Sequence, residues 1–179
     1  MHDRDDNANA DQDFTSKLPD EAATLALGAA LALALTRALP AQGLVIYLEG
    51  DLGAGKTTLV RGLLRALGFS GKVKSPTYTF VEPYAISKLN LYHFDFYRFE
   101  HAEEYLDGGF EEYFQDAAIC LVEWPDKAAP YLPPADLRVR LAVVDDGRIA
   151  GLFAVSTEGR RCLTNYHLAT PTAPRLLRP

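Results

Sequence analysis

Gly50-Asp51-Leu52-Gly53-Ala54-Gly55-Lys56-Thr57 spells G-x-x-x-x-G-K-[ST], the pattern of a loop that cradles phosphate groups. Ordinary residue usage would produce such a match by chance in about one chain in two hundred of this length. The flanks make chance a poorer account still. Leu44-Val45-Ile46-Tyr47-Leu48 upstream is a continuous apolar run, as expected of a strand buried on both faces. Thr58 to Leu67 downstream reads as a helix, with Leu59, Leu63 and Leu67 on one stripe and Arg61 and Arg65 off it. Gly68 stands where a C-terminal cap belongs.

Strand, glycine loop and helix in this order predict an α/β protein of the P-loop NTPase fold: a mixed, mostly parallel sheet with flanking helices and antiparallel hairpins. The glycines at 50, 53 and 55 let the backbone adopt conformations closed to other residues and bring N–H groups against phosphate oxygens. Gly53, Ala54 and Gly55 are therefore read as nucleotide-binding, together with Lys56, Thr57 and Thr58. Lys56 is expected to lie open to ligand and to reach the β- and γ-phosphates of ATP, Thr57 to ligate Mg²⁺, and Thr58 to contact the α-phosphate. The plain alternative is a glycine-rich turn with a solvated lysine.

The chain has 179 residues, 48% of them hydrophobic, enough to bury one full core. A net charge of −6 argues against a broad, sequence-independent grip on RNA or DNA, which needs many Lys and Arg contacts to phosphates. Two cysteines, Cys120 and Cys162, make neither a disulfide framework nor a metal knuckle, and a cytoplasmic location is the default expectation. Thr24 to Leu39 is rich in Ala and Leu but falls short of a membrane span, ends in Arg37 and Pro40, and follows an acidic start. It reads as a soluble helix, opened by Pro19-Asp20-Glu21 and packing Leu25, Leu31, Leu35 and Leu39 on the sheet.

The first 16 residues, with five aspartates, read as a disordered acidic tail, residues 17–158 as the ATPase domain, and residues 159–179 as a flexible C-terminal tail. Val73 to Val81 suggests a strand after Pro76, Leu89 to Phe99 a second, and Glu82 to Lys88 the connection of an antiparallel hairpin. Residues 101–116 read as short helical pieces broken at Gly108-Gly109, and Ala117 to Val122 as a buried strand. Leu137 to Val143 and Gly151 to Val155 flank a hairpin signal at Asp145-Asp146-Gly147-Arg148.

Three further constellations carry chemistry. Ile119-Cys120-Leu121-Val122-Glu123 has the form of a Walker B strand, whose terminal acid points at the Mg²⁺ shell; alternatively it is a solvated strand-end acid, and Trp124 a core or interface residue. Ser75-Pro76-Thr77 sits where a mobile segment would close over the γ-phosphate, or is an ordinary Pro turn. His93-Phe94-Asp95-Phe96-Tyr97-Arg98 alternates, placing His93, Asp95 and Tyr97 on one strand face. Asp95 is then a candidate to position the attacking water and Arg98 to neutralise charge; otherwise this is an edge strand with a local salt bridge.

Four motifs in this order, G-D-L-G-A-G-K-T-T at 50–58, S-P-T-Y-T-F-V-E-P-Y at 75–84, H-F-D-F-Y-R at 93–98 and L-V-E-W-P at 121–125, closely resemble the bacterial TsaE (YjeE) family over residues 18–158. The resemblance implies a small ATPase, dependent on ATP and Mg²⁺, required to make threonylcarbamoyladenosine at position 37 of tRNAs that read codons beginning with A, with Lys56, Asp95 and Glu123 as its catalytic set. It implies TsaB and TsaD as partners, which receive the threonylcarbamoyl group as an adenylate from TsaC and hold the tRNA, with no membrane and no required homo-oligomer. By the same resemblance Thr57 and Glu123 serve the metal, and Glu21 and Arg148 the nucleotide. Both termini depart from the family motifs. Two other functions stay open on the residues alone: a small-molecule kinase, although no Arg-rich lid follows the Walker B strand, and a nucleotide-sensing module without turnover. The absence of an N-K-x-D guanine motif favours ATP.

Overall fold

The computed structural model describes residues 14–38, 43–87, 89–115 and 117–169. In chain order its elements are β1 (Phe14–Leu18), α1 (Glu21–Ala38), β2 (Leu44–Glu49), α2 (Lys56–Ala66), β3 (Val81–Ile86), β4 (Leu89–Asp95), α3 (Glu104–Asp107), β5 (Ala118–Glu123), β6 (Leu137–Val144), β7 (Gly147–Ala154) and α4 (Thr157–Ala169). Short 3₁₀ turns at Phe110–Phe114 and Pro125–Ala128 lie on either side of β5. The strands form one sheet in the order β1-β7-β6-β2-β5-β4-β3. Its centre is parallel, β2 lying between β5 and β6 with β4 beyond β5, and each edge is closed by antiparallel strands. This is the α/β arrangement read from the sequence.

Strand alternation assigns the two sheet faces. Leu44, Ile46 and Leu48 of β2, with Ile119 and Leu121 of β5 and Leu91 of β4, join Leu27, Leu31, Leu35, Leu59 and Leu63 in a core under α1, α2 and α4. The intervening Val45, Tyr47, Cys120, Val122 and Phe94 meet a second, aromatic layer built by Phe96, Phe99, Tyr105 and Phe110. Each fully buried Leu or Phe removes enough apolar surface to stabilise the fold by about 1.5–3 kcal/mol, far more than helix propensity supplies. Cys120 and Cys162 are free and buried in these layers, and burial pushes both thiols up to about 12.

Helix α1 begins where expected, with Asp20 Oδ1 accepting the Ala23 N–H at 2.8 Å. Leu31 and Leu35 are buried as read; Leu25 is only half-buried, Leu27 takes the core position instead, and Leu39 and Pro40 lie outside the described residues. α1 and α2 cross closely because both carry glycine at the contact: a Cβ on Gly62 would stand 2.2 Å from the Leu25 carbonyl oxygen, and one on Gly28 2.1 Å from that of Leu59. Gly62→Ala is therefore expected to cost about 1–3 kcal/mol by forcing the helices apart. Urea denaturation checks this, and an unchanged midpoint would mean the crossing yields freely.

Three sequence readings need correction. The segment read as a tail through residue 16 contributes Phe14–Leu18 to the sheet, paired with β7 from Phe14↔Leu152 to Leu18↔Arg148, and the Phe14 ring is buried against Tyr166. Residues 1–13 lie outside the described residues. The segment read as a flexible tail from residue 159 is helical through Ala169: Ser156 Oγ accepts the Gly159 N–H at 3.1 Å as a cap, and Cys162, Leu163 and Tyr166 bury one stripe against α1. Residues 170–179 lie outside the described residues. In the first hairpin, Val81–Ile86 is itself the strand and Thr77–Phe80 a turn; Pro83 is tolerated because β3 is a sheet edge.

Candidate nucleotide site

The carboxyl ends of β2, β5 and β4 come together in the centre of the sheet, the place where ligands bind in open α/β folds. The loop from Gly50 to Gly55 leaves β2 and runs directly into α2 at Lys56. Its geometry needs glycine at two points: Gly50 has φ 146° with the Leu141 carbonyl oxygen 2.4 Å from where a Cβ would be, and Gly55 has φ 107° as the residue preceding the helix. Arg148 of β7 braces the loop from outside, donating from Nε to the Ala54 carbonyl at 3.0 Å and from its guanidinium to Gly53 at 3.4 Å.

A cavity of about 380 Å³ opens over this loop, within the size range of ligand sites. Glu21, Gly53, Gly55, Lys56, Thr57, Thr58, Asp95, Glu123 and Arg148 all line it. Of the residues assigned to nucleotide, metal or catalysis only Ala54 does not; its side chain is buried in the core and its N–H is donated to the Asp51 carbonyl at 3.1 Å. Glu21 Oε1 also takes a hydrogen bond from Arg61 at 3.4 Å.

Register brings the two site acids together. Asp95 and Glu123 are direct partners at the ends of β4 and β5, and both are buried. Thr57 Oγ1 donates to Glu123 Oε1 at 2.9 Å, linking the first turn of α2 to the end of β5, and His93 Nε2 lies 2.9 Å from the same oxygen. Asp95 Oδ2 accepts from the hydroxyls of Ser75 and, at 3.1 Å, Thr77, while Oδ1 accepts the Tyr97 N–H at 2.9 Å. The hydroxyls of the 75–77 segment thus meet the acid of β4.

Lys56 departs from expectation. It is 4% exposed, not open: Nζ donates to the carbonyls of Gly50 at 2.5 Å and Asp51 at 2.9 Å, and sits 4.4 Å from the centre of the Trp124 ring. Burial pulls its ammonium below the ordinary lysine range, opposed by the nearby Glu123, Asp95, Asp51 and Asp126. Trp124 lines the cavity, held at φ 57° immediately after Glu123 and packed on Tyr97 at 5.0 Å between ring centres. No local sequence signal reveals this, because the turn is made by the left-handed conformation of a residue type that seldom adopts it. Thr24, 1% exposed, also lines the cavity and was not anticipated. Arg98 does not reach it: β4 ends at Asp95, alternation stops there, and the guanidinium stacks 4.2 Å from the centre of Tyr78.

The donor set has the chemistry of a hard-cation site without being a cage. Among the described residues no three His, Cys, Asp or Glu side chains converge. Thr57 and Glu123 provide two oxygen groups in contact, which suits Mg²⁺, an ion that binds one or two protein oxygens and takes its other positions from water and phosphate. No helix among the described residues is long and apolar enough to cross a membrane.

Comparison with known proteins agrees with this architecture. The family model for "Threonylcarbamoyl adenosine biosynthesis protein TsaE" matches residues 18–149. The tRNA threonylcarbamoyladenosine biosynthesis protein TsaE of Haemophilus influenzae is 41% identical over 155 residues, covering 87% of this chain and 98% of that one. The protein of the same name from a Nostoc species is 39% identical over 146 residues, covering 79% and 86%. Among solved structures, Bacillus subtilis YdiB superposes with a TM-score of 0.72 at 30% identity, covering 88% of this chain and 96% of YdiB.

Proposed function

The chain belongs to the TsaE family, and on that premise we propose that it is the ATP-binding and ATP-hydrolysing subunit for threonylcarbamoyladenosine formation on tRNA, acting in the cytoplasm with TsaB and TsaD. One observation carries the reading: the strand–loop–helix unit places Lys56 and Thr57 in a single cavity with the strand-end acids Asp95 and Glu123. The loop and the N-terminus of α2 favour a bound anion. Lys56 holds positive charge beside it, and Arg148 fixes the loop in the shape that receives it. Thr57, donating its hydroxyl hydrogen bond to Glu123, keeps its lone pairs for a metal, and Glu123 takes the metal or its waters. Mg²⁺, when bound with the nucleotide, would neutralise phosphate charge. Asp95 has a spare lone pair on Oδ1 with which to orient and deprotonate a water. The acidic balance of the chain fits a subunit that reaches tRNA only through partners.

Phosphate release from ATP, measured with and without TsaB and TsaD and beside transfer of label to candidate acceptors, tests the proposal. Release that rises with the partners supports it. Label moving to an acceptor would make the chain a kinase, and tight binding without turnover a nucleotide sensor. Glu123→Ala is expected to need about 10-fold or more additional Mg²⁺ for half-maximal hydrolysis while binding nucleotide nearly as the parent does. An unchanged Mg²⁺ titration would return Glu123 to a plain strand-end acid.

A further inference from the structure

We propose, resting on the nucleotide reading above, that His93 is a positioning residue for the metal site, holding the Glu123 carboxylate in the orientation that Thr57 and the cation require. Glu123 Oε1 receives two hydrogen bonds of 2.9 Å, one from α2 through Thr57 Oγ1 and one from β4 through His93 Nε2. No hydrogen bond to its second oxygen is made among the described residues, leaving Oε2 for a metal or metal-bound water. Because Nε2 faces a carboxylate oxygen, it is the nitrogen that carries the proton.

The rest of the ring argues against a merely space-filling histidine. His93 is fully buried, and its Nδ1 has no hydrogen-bond partner. A buried ring nitrogen without a partner costs free energy that an aliphatic side chain at this position of β4 would avoid. What the imidazole gives in return is the single donated bond to Glu123. Alternation places His93 on the same sheet face as Asp95, with its register partner Leu121 two residues before Glu123 on β5. The bond therefore ties two neighbouring parallel strands together next to the cavity. Without it the carboxylate would be held by the Thr57 hydroxyl alone, free to turn Oε2 away from the cation.

The test uses Mn²⁺ as the probe, its affinity for the full-length chain read by electron paramagnetic resonance in the presence of ADP, with metal-free ADP affinity and thermal midpoint recorded beside it. His93→Gln keeps an amide donor at about the reach of Nε2, whereas His93→Asn is too short and His93→Leu has no donor. His93→Asn and His93→Leu are expected to weaken Mn²⁺ binding about 10- to 100-fold, the range for losing a partner behind a metal ligand, with metal-free ADP affinity kept. His93→Gln is expected to recover most of the loss. Parental Mn²⁺ affinity in His93→Asn or His93→Leu overturns the proposal, as does a His93→Gln variant as impaired as they are. Should either His93→Asn or His93→Leu fail to fold, the other is compared with His93→Gln. A parent chain that binds no ADP overturns the nucleotide reading and this inference with it, whereas a parent that binds both while the variants match it overturns this inference alone.

Discussion

Lys56→Ala is expected to lower turnover at least about 100-fold, the scale on which a single preorganised charge or donor at a reacting oxygen acts. The buried environment strengthens the effect, because Lys56 is 4% exposed and its charge is poorly screened by water. The same burial means the substitution is not silent in the fold. It leaves the Gly50 and Asp51 carbonyls without their donor and removes the ammonium that sits over the Trp124 ring, so a stability loss of about 1–3 kcal/mol should accompany the loss of activity. Lys56→Met separates the two contributions, since it restores most of the packing without the charge. Circular-dichroism melts and phosphate release with TsaB and TsaD check both. A Lys56→Met variant with parental turnover would remove Lys56 from the site chemistry.

Asp95→Asn is expected to keep nucleotide affinity and lose about 10²- to 10⁴-fold in turnover, the contribution typical of a general base. The structure explains why this change should not unfold the chain. The asparagine oxygen can still accept the Tyr97 N–H, and its NH₂ can donate to the hydroxyls of Ser75 and Thr77, which accept as readily as they donate. What disappears is the charge and the ability to take a proton. Affinity measured on the isolated chain, with hydrolysis measured in the presence of the partners, distinguishes the outcomes. Parental hydrolysis would make Asp95 a structural acceptor for the 75–77 segment, and lost binding would place it in the phosphate or metal shell.

The part of the molecule that the sequence makes legible is the part specified locally. The phosphate loop, its strand and its helix are contiguous, and the glycines at 50 and 55 are demanded by backbone geometry alone. Glu123 is likewise legible as a strand-end acid, and Asp95 as an acid on the polar face it shares with His93, because strand periodicity sets their faces; that β4 ends at Asp95 and not at Phe99 is not legible. The illegible parts depend on contacts far along the chain. β1 exists by pairing with β7, from Leu18↔Arg148 to Phe14↔Leu152 and so far along the chain, and nothing in Phe14-Thr15-Ser16 marks that edge. α4 carries a narrow stripe of Cys162, Leu163 and Tyr166 within polar sequence, and only the groove beside α1 makes the stripe worth burying. Lys56 is closed over by Trp124, whose left-handed turn after β5 has no sequence mark, and the His93–Glu123 contact needs the β4–β5 register, which no local pattern fixes.

Calorimetric titration of the full-length parent chain with ATP in the presence of Mg²⁺ tests most directly whether the cavity over Gly50–Thr57 is a nucleotide site. Saturable one-to-one binding is expected, greatly weakened in both Lys56→Ala and Lys56→Met and kept in Asp95→Asn; a flat titration of the parent, or undiminished binding in the Lys56 variants, would contradict a nucleotide site at this loop.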